Sequence, residues 1–144
     1  MKALCLLAIC GSLVVTAAGS QESDLAKLQG TWALVSVEID GKALPMDDLK
    51  ESRLVIKDKE YLFRFREARL DINIKLDSSR TPKAIDLLVV DGPDKGNTYK
   101  GIYILDGDHY KICRHTTPGQ DRPATFATHP ESGLMMTVWR REKS

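Results

Sequence analysis

Leu28-Gln29-Gly30-Thr31-Trp32, running on into Ala33-Leu34-Val35-Ser36-Val37-Glu38-Ile39, is the stretch that decides the fold. Upstream of Gly30 the residues carry helix signals. Ser23 or Asp24 can cap a helix, Leu25 and Leu28 share a face, and Gly30 stops it. From Thr31 onward the hydrophobic period switches to two. The expectation is a short helix over residues 23–29 and a strand over 31–39, ended by Asp40-Gly41. If Trp32 points into the core, alternation also sends Leu34, Ser36 and Glu38 inward.

Working outward, the rest of the chain reads as short strands between tight turns. Strands are expected at residues 53–57, 61–66, 69–76, 84–90, 98–105, 109–114, 124–128 and 134–141. The clearest is 69–76, where Leu70, Ile72, Ile74 and Leu76 alternate with polar residues. Asp106-Gly107-Asp108 makes a hairpin turn. Only the polar connection 42–52 leaves room for a helical turn, at 45–50. Eight or nine strands with short connections pair in sequence order, and closure removes their free edges. The expected fold is all-β, an antiparallel up-and-down β-barrel of about eight strands with a short N-terminal helix. An open β-sandwich is the alternative.

The first twenty residues read differently. Lys2 supplies a positive charge, 4–15 is apolar, and Ala17-Ala18-Gly19-Ser20 offers small residues before a polar run. That is the pattern of a secretory signal peptide, so residues 1–20 are expected to be a leader and 21–144 the barrel domain. The apolar run is too short to span a membrane comfortably. Ile9 before Cys10 argues against a lipid anchor. The mature protein is therefore expected to be periplasmic or extracellular, without a membrane span or lipid anchor. Cys113 would then be its only cysteine, which excludes an intramolecular disulfide. The 21 basic and 20 acidic residues give no net field for nucleic acid or anionic membrane, and no nucleic-acid partner is expected.

Two resemblances rest on these residues. Gly30-x-Trp32 at the start of the first strand, with Arg140 and Arg141 at the end of the last, resembles lipocalin-type barrels. The resemblance implies a structural role for Gly30, Trp32, Arg140 and Arg141, with one arginine stacked over the indole. More widely, the chain resembles an uncharacterised family of small exported bacterial domains, expanded in planctomycetes and described as lipocalin-like. The matching stretches are Leu28-Gln29-Gly30-Thr31-Trp32, Asp40-Gly41-Lys42, Pro82-Lys83-Ala84-Ile85-Asp86-Leu87, Gly92-Pro93-Asp94-Lys95-Gly96, Gly101-Ile102-Tyr103, Leu105-Asp106-Gly107-Asp108, Cys113 and Arg122-Pro123. The resemblance implies a barrel and export, and it is silent on chemistry.

Catalytic and metal chemistry find little footing. His109, His115 and His129 are the only histidines, and six residues of extended strand separate His109 from His115 by roughly 20 Å. No metal site or cofactor is expected. Cys113 lies among apolar neighbours and reads as a packing residue. The aspartates of 40–41, 91–94 and 106–108 are turn formers. No catalytic residues are expected, and the chain is not read as an enzyme. The interior remains. Trp32, Leu34, Ser36, Glu38, Phe63, Phe65, Tyr103 and Tyr110 are the candidate interior contacts. Leu54, Ile56, Ile72, Ile74, Leu105, Ile112, Met136 and Val138 also face inward by alternation. This composition suits a pocket for a small, largely apolar ligand, and equally a filled core. The leading expectation is a monomeric, non-catalytic binding protein. The alternative is an envelope module whose filled barrel offers its loops to protein or polysaccharide.

Overall fold

The computed structural model describes residues 23–143. The expected leader at 1–20 lies outside the described residues. A single helix, α1 (Asp24–Leu28), precedes the sheet. Ser23 caps it by accepting a hydrogen bond from the Ala26 N–H at 3.2 Å. Nine strands follow: β1 (Gly30–Ile39), β2 (Lys42–Ala43), β3 (Arg53–Lys57), β4 (Glu60–Phe65), β5 (Ala68–Asp77), β6 (Ala84–Val89), β7 (Thr98–Asp106), β8 (His109–His115) and β9 (Leu134–Arg141). Every neighbouring pair is antiparallel and, apart from the small β2, each strand pairs with the next in the chain. The β1–β9 ladder, from Trp32 opposite Arg141 to Ile39 opposite Met135, closes the sheet. The result is the up-and-down barrel of eight strands expected from the sequence. The two-residue β2, which the sequence reading did not anticipate, only extends one side of β1.

Two local features depart from the expected pattern. Residues 124–128 form no strand; they belong to a long segment, 116–133, laid over the outside of the barrel. Arg122 holds it there, with Nη1 donating to the carbonyls of Ile85 and Gly101 and Nη2 bound to Asp86 at 2.7 Å. Pro123, Ile102 and Cys113 are buried beneath or within it. Gly101 is needed in this layer, because a Cβ there would meet the Cys113 carbonyl oxygen at 3.0 Å. The second departure is a bulge in β1. Leu34 stands opposite Trp139 and Ser36 opposite Val138, so Val35 is the extra residue and is 42% exposed.

The floor of the barrel is packed solid. Trp32 is fully buried, and its Nε1 donates to the Leu28 carbonyl at 2.9 Å, tying strand to helix. Tyr110 lies 5.8 Å from its ring, and the Arg141 guanidinium carbon lies 4.3 Å above it. Arg141 also donates to the carbonyls of Lys27 and Gln29 and pairs with Asp108. Gly30, at φ +125°, lets the chain pass under this arginine, whose Nη1 lies 3.2 Å from where a Cβ would stand. Arg141 is thus the stacking residue, whereas Arg140 is exposed.

Asp24 ties the helix to the barrel wall. It accepts hydrogen bonds from Lys83 Nζ at 2.8 Å and Tyr103 Oη at 2.7 Å. Burial pushes its carboxyl up, but these two bonds and the charges of Lys83 and Lys27 outweigh burial and hold it below the ordinary carboxylate range. Since the folded pKa is depressed, its stabilisation is complete above the unfolded pKa and is lost as pH falls through the folded one. Asp24→Asn is expected to lower stability at neutral pH and to flatten the acid-side loss. Urea midpoints of both proteins from neutral pH down through the carboxylate range check this. Parallel pH curves would refute it.

Candidate functional site

Above this floor the barrel is hollow. A cavity of about 270 Å³ occupies the half toward the C-terminal end of β1. Its size lies just below the roughly 300–1,000 Å³ usual for small-molecule sites. Tyr61, Ile72 and Trp139 form its inner end, and Val37, Phe63, Leu87, Ile112 and Thr137 its middle. Ile39, Phe65, Leu70, Met135 and Arg114 stand toward the mouth. The segment joining β2 to β3 crosses there and contributes Leu44, Leu49 and Ser52. A helical turn, with the Leu49 and Lys50 N–H groups donating to the Met46 carbonyl, shapes that strap. The turn expected at 45–50 is therefore present.

The proposed interior residues sort into three groups. Leu34, Phe63 and Phe65 line the cavity. Trp32, Tyr103 and Tyr110 are inside the barrel but belong to the packed floor below it. Tyr110 and Tyr61 share a hydrogen bond at 3.3 Å. Burial pushes the Tyr61 phenol up to about 12 and the Tyr110 phenol well above its ordinary value. Tyr103 is likewise raised, by burial first and then by its bond to Asp24. Ser36 and Glu38 are not in the interior. The bulge at Val35 resets the alternation, so Val37 and Ile39 turn inward and Ser36 and Glu38 turn out. Glu38 instead accepts a hydrogen bond from Thr128 in the outer segment.

A parity correction applies on β9. Thr137 and Trp139 face inward, while Met136 stands opposite outward-facing Cys113 and Val138 opposite outward-facing Lys111. Both sets of alternate residues on this strand carry large apolar side chains, so the pattern alone does not choose between them. The larger Trp139 takes the interior, edge-on to Phe63 with centroids 5.9 Å apart. Its Nε1 donates to Thr137 Oγ1 at 2.9 Å.

Arg114 is the polar group of the site that the sequence reading passed over. The inward alternation of Tyr110 and Ile112 extends to it, and it reaches the cavity wall at the end of β8. Its guanidinium carbon lies 4.6 Å over the Tyr99 ring. Burial lowers its pKa, and the phenols of Tyr61, Tyr99 and Tyr110 counter this in part. Ser52 is a second polar group in the wall. It is fully buried, and its hydroxyl has no hydrogen-bond partner among the described residues.

Other reactive side chains lie elsewhere. Cys113 faces outward beneath residues 116–133; burial raises its thiol pKa, a hydrogen bond from Ala127 offsets part of that, and Glu38 adds to it. Arg114, its chain neighbour, points to the opposite side of the strand and does not activate it. His109 and His115 stand at opposite ends of β8. Among the described residues no three His, Cys, Asp or Glu side chains gather as metal ligands would, and no helix is long and apolar enough to cross a membrane. Comparison of the chain with protein-family models, curated proteins and solved structures finds no match.

Proposed function

We propose that this protein is an exported, monomeric, non-catalytic binding protein that holds a small, largely apolar ligand in the upper half of its barrel. The observation that carries the reading is the contrast between the two halves. Trp32, Tyr103 and Tyr110 pack with Leu28, Leu54, Ile56 and Ile85 in a fully buried floor, while about 270 Å³ above them is walled mainly by Leu, Ile, Val and Phe. Interiors ordinarily close-pack, since an unfilled apolar space forfeits dispersion contacts. A ligand that fills the space recovers them. The reading places the chain with the exported lipocalin-like domains it resembles, and the pattern of residues 1–20 supports export.

A neutral apolar fluorophore, N-phenylnaphthylamine, tests the reading. The expected result is saturable fluorescence enhancement at one probe per chain. Leu70 is half-buried on β5 near the mouth, so Leu70→Trp adds bulk to the cavity with limited strain. That variant is expected to weaken binding at least about tenfold. Absence of saturable binding, or binding indifferent to Leu70→Trp in a stably folded variant, would overturn the reading.

A further inference from the structure

We propose that the ligand is an anionic amphiphile, an alkyl or aryl carboxylic acid, whose carboxylate sits at the mouth on Arg114 and whose apolar body fills the cavity below. The inference rests on the reading of the cavity as a ligand site and adds the chemical class.

The charge balance around Arg114 carries it. A guanidinium offers five N–H donors in a planar fork. Among the described residues, one hydrogen bond uses it, from Nη1 to the His115 carbonyl at 2.9 Å. No carboxylate among the described residues forms an ion pair with it, although eight other ion pairs are present there. The carboxylates at the C-terminal end of β1 are committed elsewhere. Glu38 is on the outer face with Thr128, and Asp40 accepts from the Gly133 N–H at 2.7 Å. The phenol of Tyr61 is turned to Tyr110. Arg114 is thus a cation at an apolar wall with its fork largely free.

Holding a cation against such a wall is unfavourable unless an anion compensates it. Packing on Tyr99 alone requires no charge, and an uncharged side chain would line the wall at less cost. A carboxylate matches the fork in shape and charge, and the low-dielectric wall strengthens the bond. Ser52 adds an independent observation. Its buried hydroxyl lines the same cavity and has no partner among the described residues, which leaves it open to a polar ligand atom. Thr137, by contrast, is already engaged by Trp139. From Arg114 the wall descends to Ile112, Phe63 and Trp139, which suits a tail and offers no second charge.

Calorimetric titration of the whole protein with decanoate, decanol and decyltrimethylammonium separates the two layers of the reading. Decanoate is expected to bind at least about tenfold more tightly than decanol, with the cation weakest. Arg114→Gln is expected to bring decanoate down to the level of decanol, and Arg114→Lys to restore part of the preference. If decanol binds and decanoate binds no better, or if the preference survives Arg114→Gln, the carboxylate assignment is wrong while the cavity reading stands. If neither compound binds, both fall together. Should Arg114→Gln not fold, salt decides on the wild type. Raising ionic strength must weaken decanoate and spare decanol, and equal sensitivity overturns the proposal.

Discussion

Trp32→Ala is expected to destabilise the protein by about 4 kcal/mol, the usual scale for truncating a wholly buried tryptophan. Three interactions converge on this ring: its Nε1 donates to the Leu28 carbonyl, its face carries the Arg141 guanidinium, and the Tyr110 ring packs against it with centroids 5.8 Å apart. Alanine would leave a cavity under the barrel, release α1 and remove the surface on which Arg141 stacks. For a domain whose whole stability is of order 5–15 kcal/mol, that loss brings the folded state near its limit. Trp32→Phe keeps the apolar bulk but loses the hydrogen bond to Leu28, so a cost of about 1–2 kcal/mol is expected. Urea unfolding of the three proteins measures both. A loss below about 1 kcal/mol for the alanine variant would mean that the floor is held by something other than Trp32.

How far the sequence carries one toward this structure differs between the floor and the cavity. The floor was legible because its signals are local. Ser23 caps the helix, Gly30 ends it, and Trp32 follows at the start of a period-two run. Strand positions were also legible, and 53–57 and 134–141 coincide with β3 and β9. Which side chains face the cavity was less so, because facing depends on parity, and parity is fragile. One extra residue at Val35 turns Ser36 and Glu38 outward and Val37 inward. Nothing in Leu-Val-Ser-Val marks a bulge, since both phases of that run are compatible with a strand. On β9 apolar residues occupy both faces, and outward-facing Met136 stands between Glu38 and Cys113, which Thr128 and Ala127 contact from outside. The segment 124–128 has strand-like composition, yet Ala124, Thr125 and Ala127 are exposed, only Phe126 and Thr128 are half-buried, and its backbone joins no ladder. Arg114 was within reach of the same alternation that found Tyr110 and Ile112. Its charge argues for an outward position, and only its lack of a carboxylate partner among the described residues gives the inward position a meaning.

The outer layer makes its own demand on Arg122. This side chain, 19% exposed, bonds two carbonyls of adjacent strands and the Asp86 carboxylate. Arg122→Ala would leave the Ile85 and Gly101 carbonyls without these donors and free the middle of residues 116–133. A cost of about 2–3 kcal/mol is expected, the scale of charge-assisted hydrogen bonds lost from a partly buried site. The consequence should be local before it is global, because the barrel ladders do not depend on the segment. Cys113 reports it, being fully buried with its side chain under Ala127. Peptide-mapped labelling of the Cys113 thiol is expected to accelerate at least about tenfold in Arg122→Ala, with a rate that stays flat in low urea, as local opening requires. Ligand binding in the cavity should persist, since residues 116–133 contribute nothing to its lining. A labelling rate that climbs with urea from the outset would show that Cys113 is reached only through global unfolding. In that case the outer segment and the barrel would form one cooperative unit, and Arg122 would hold the whole fold together.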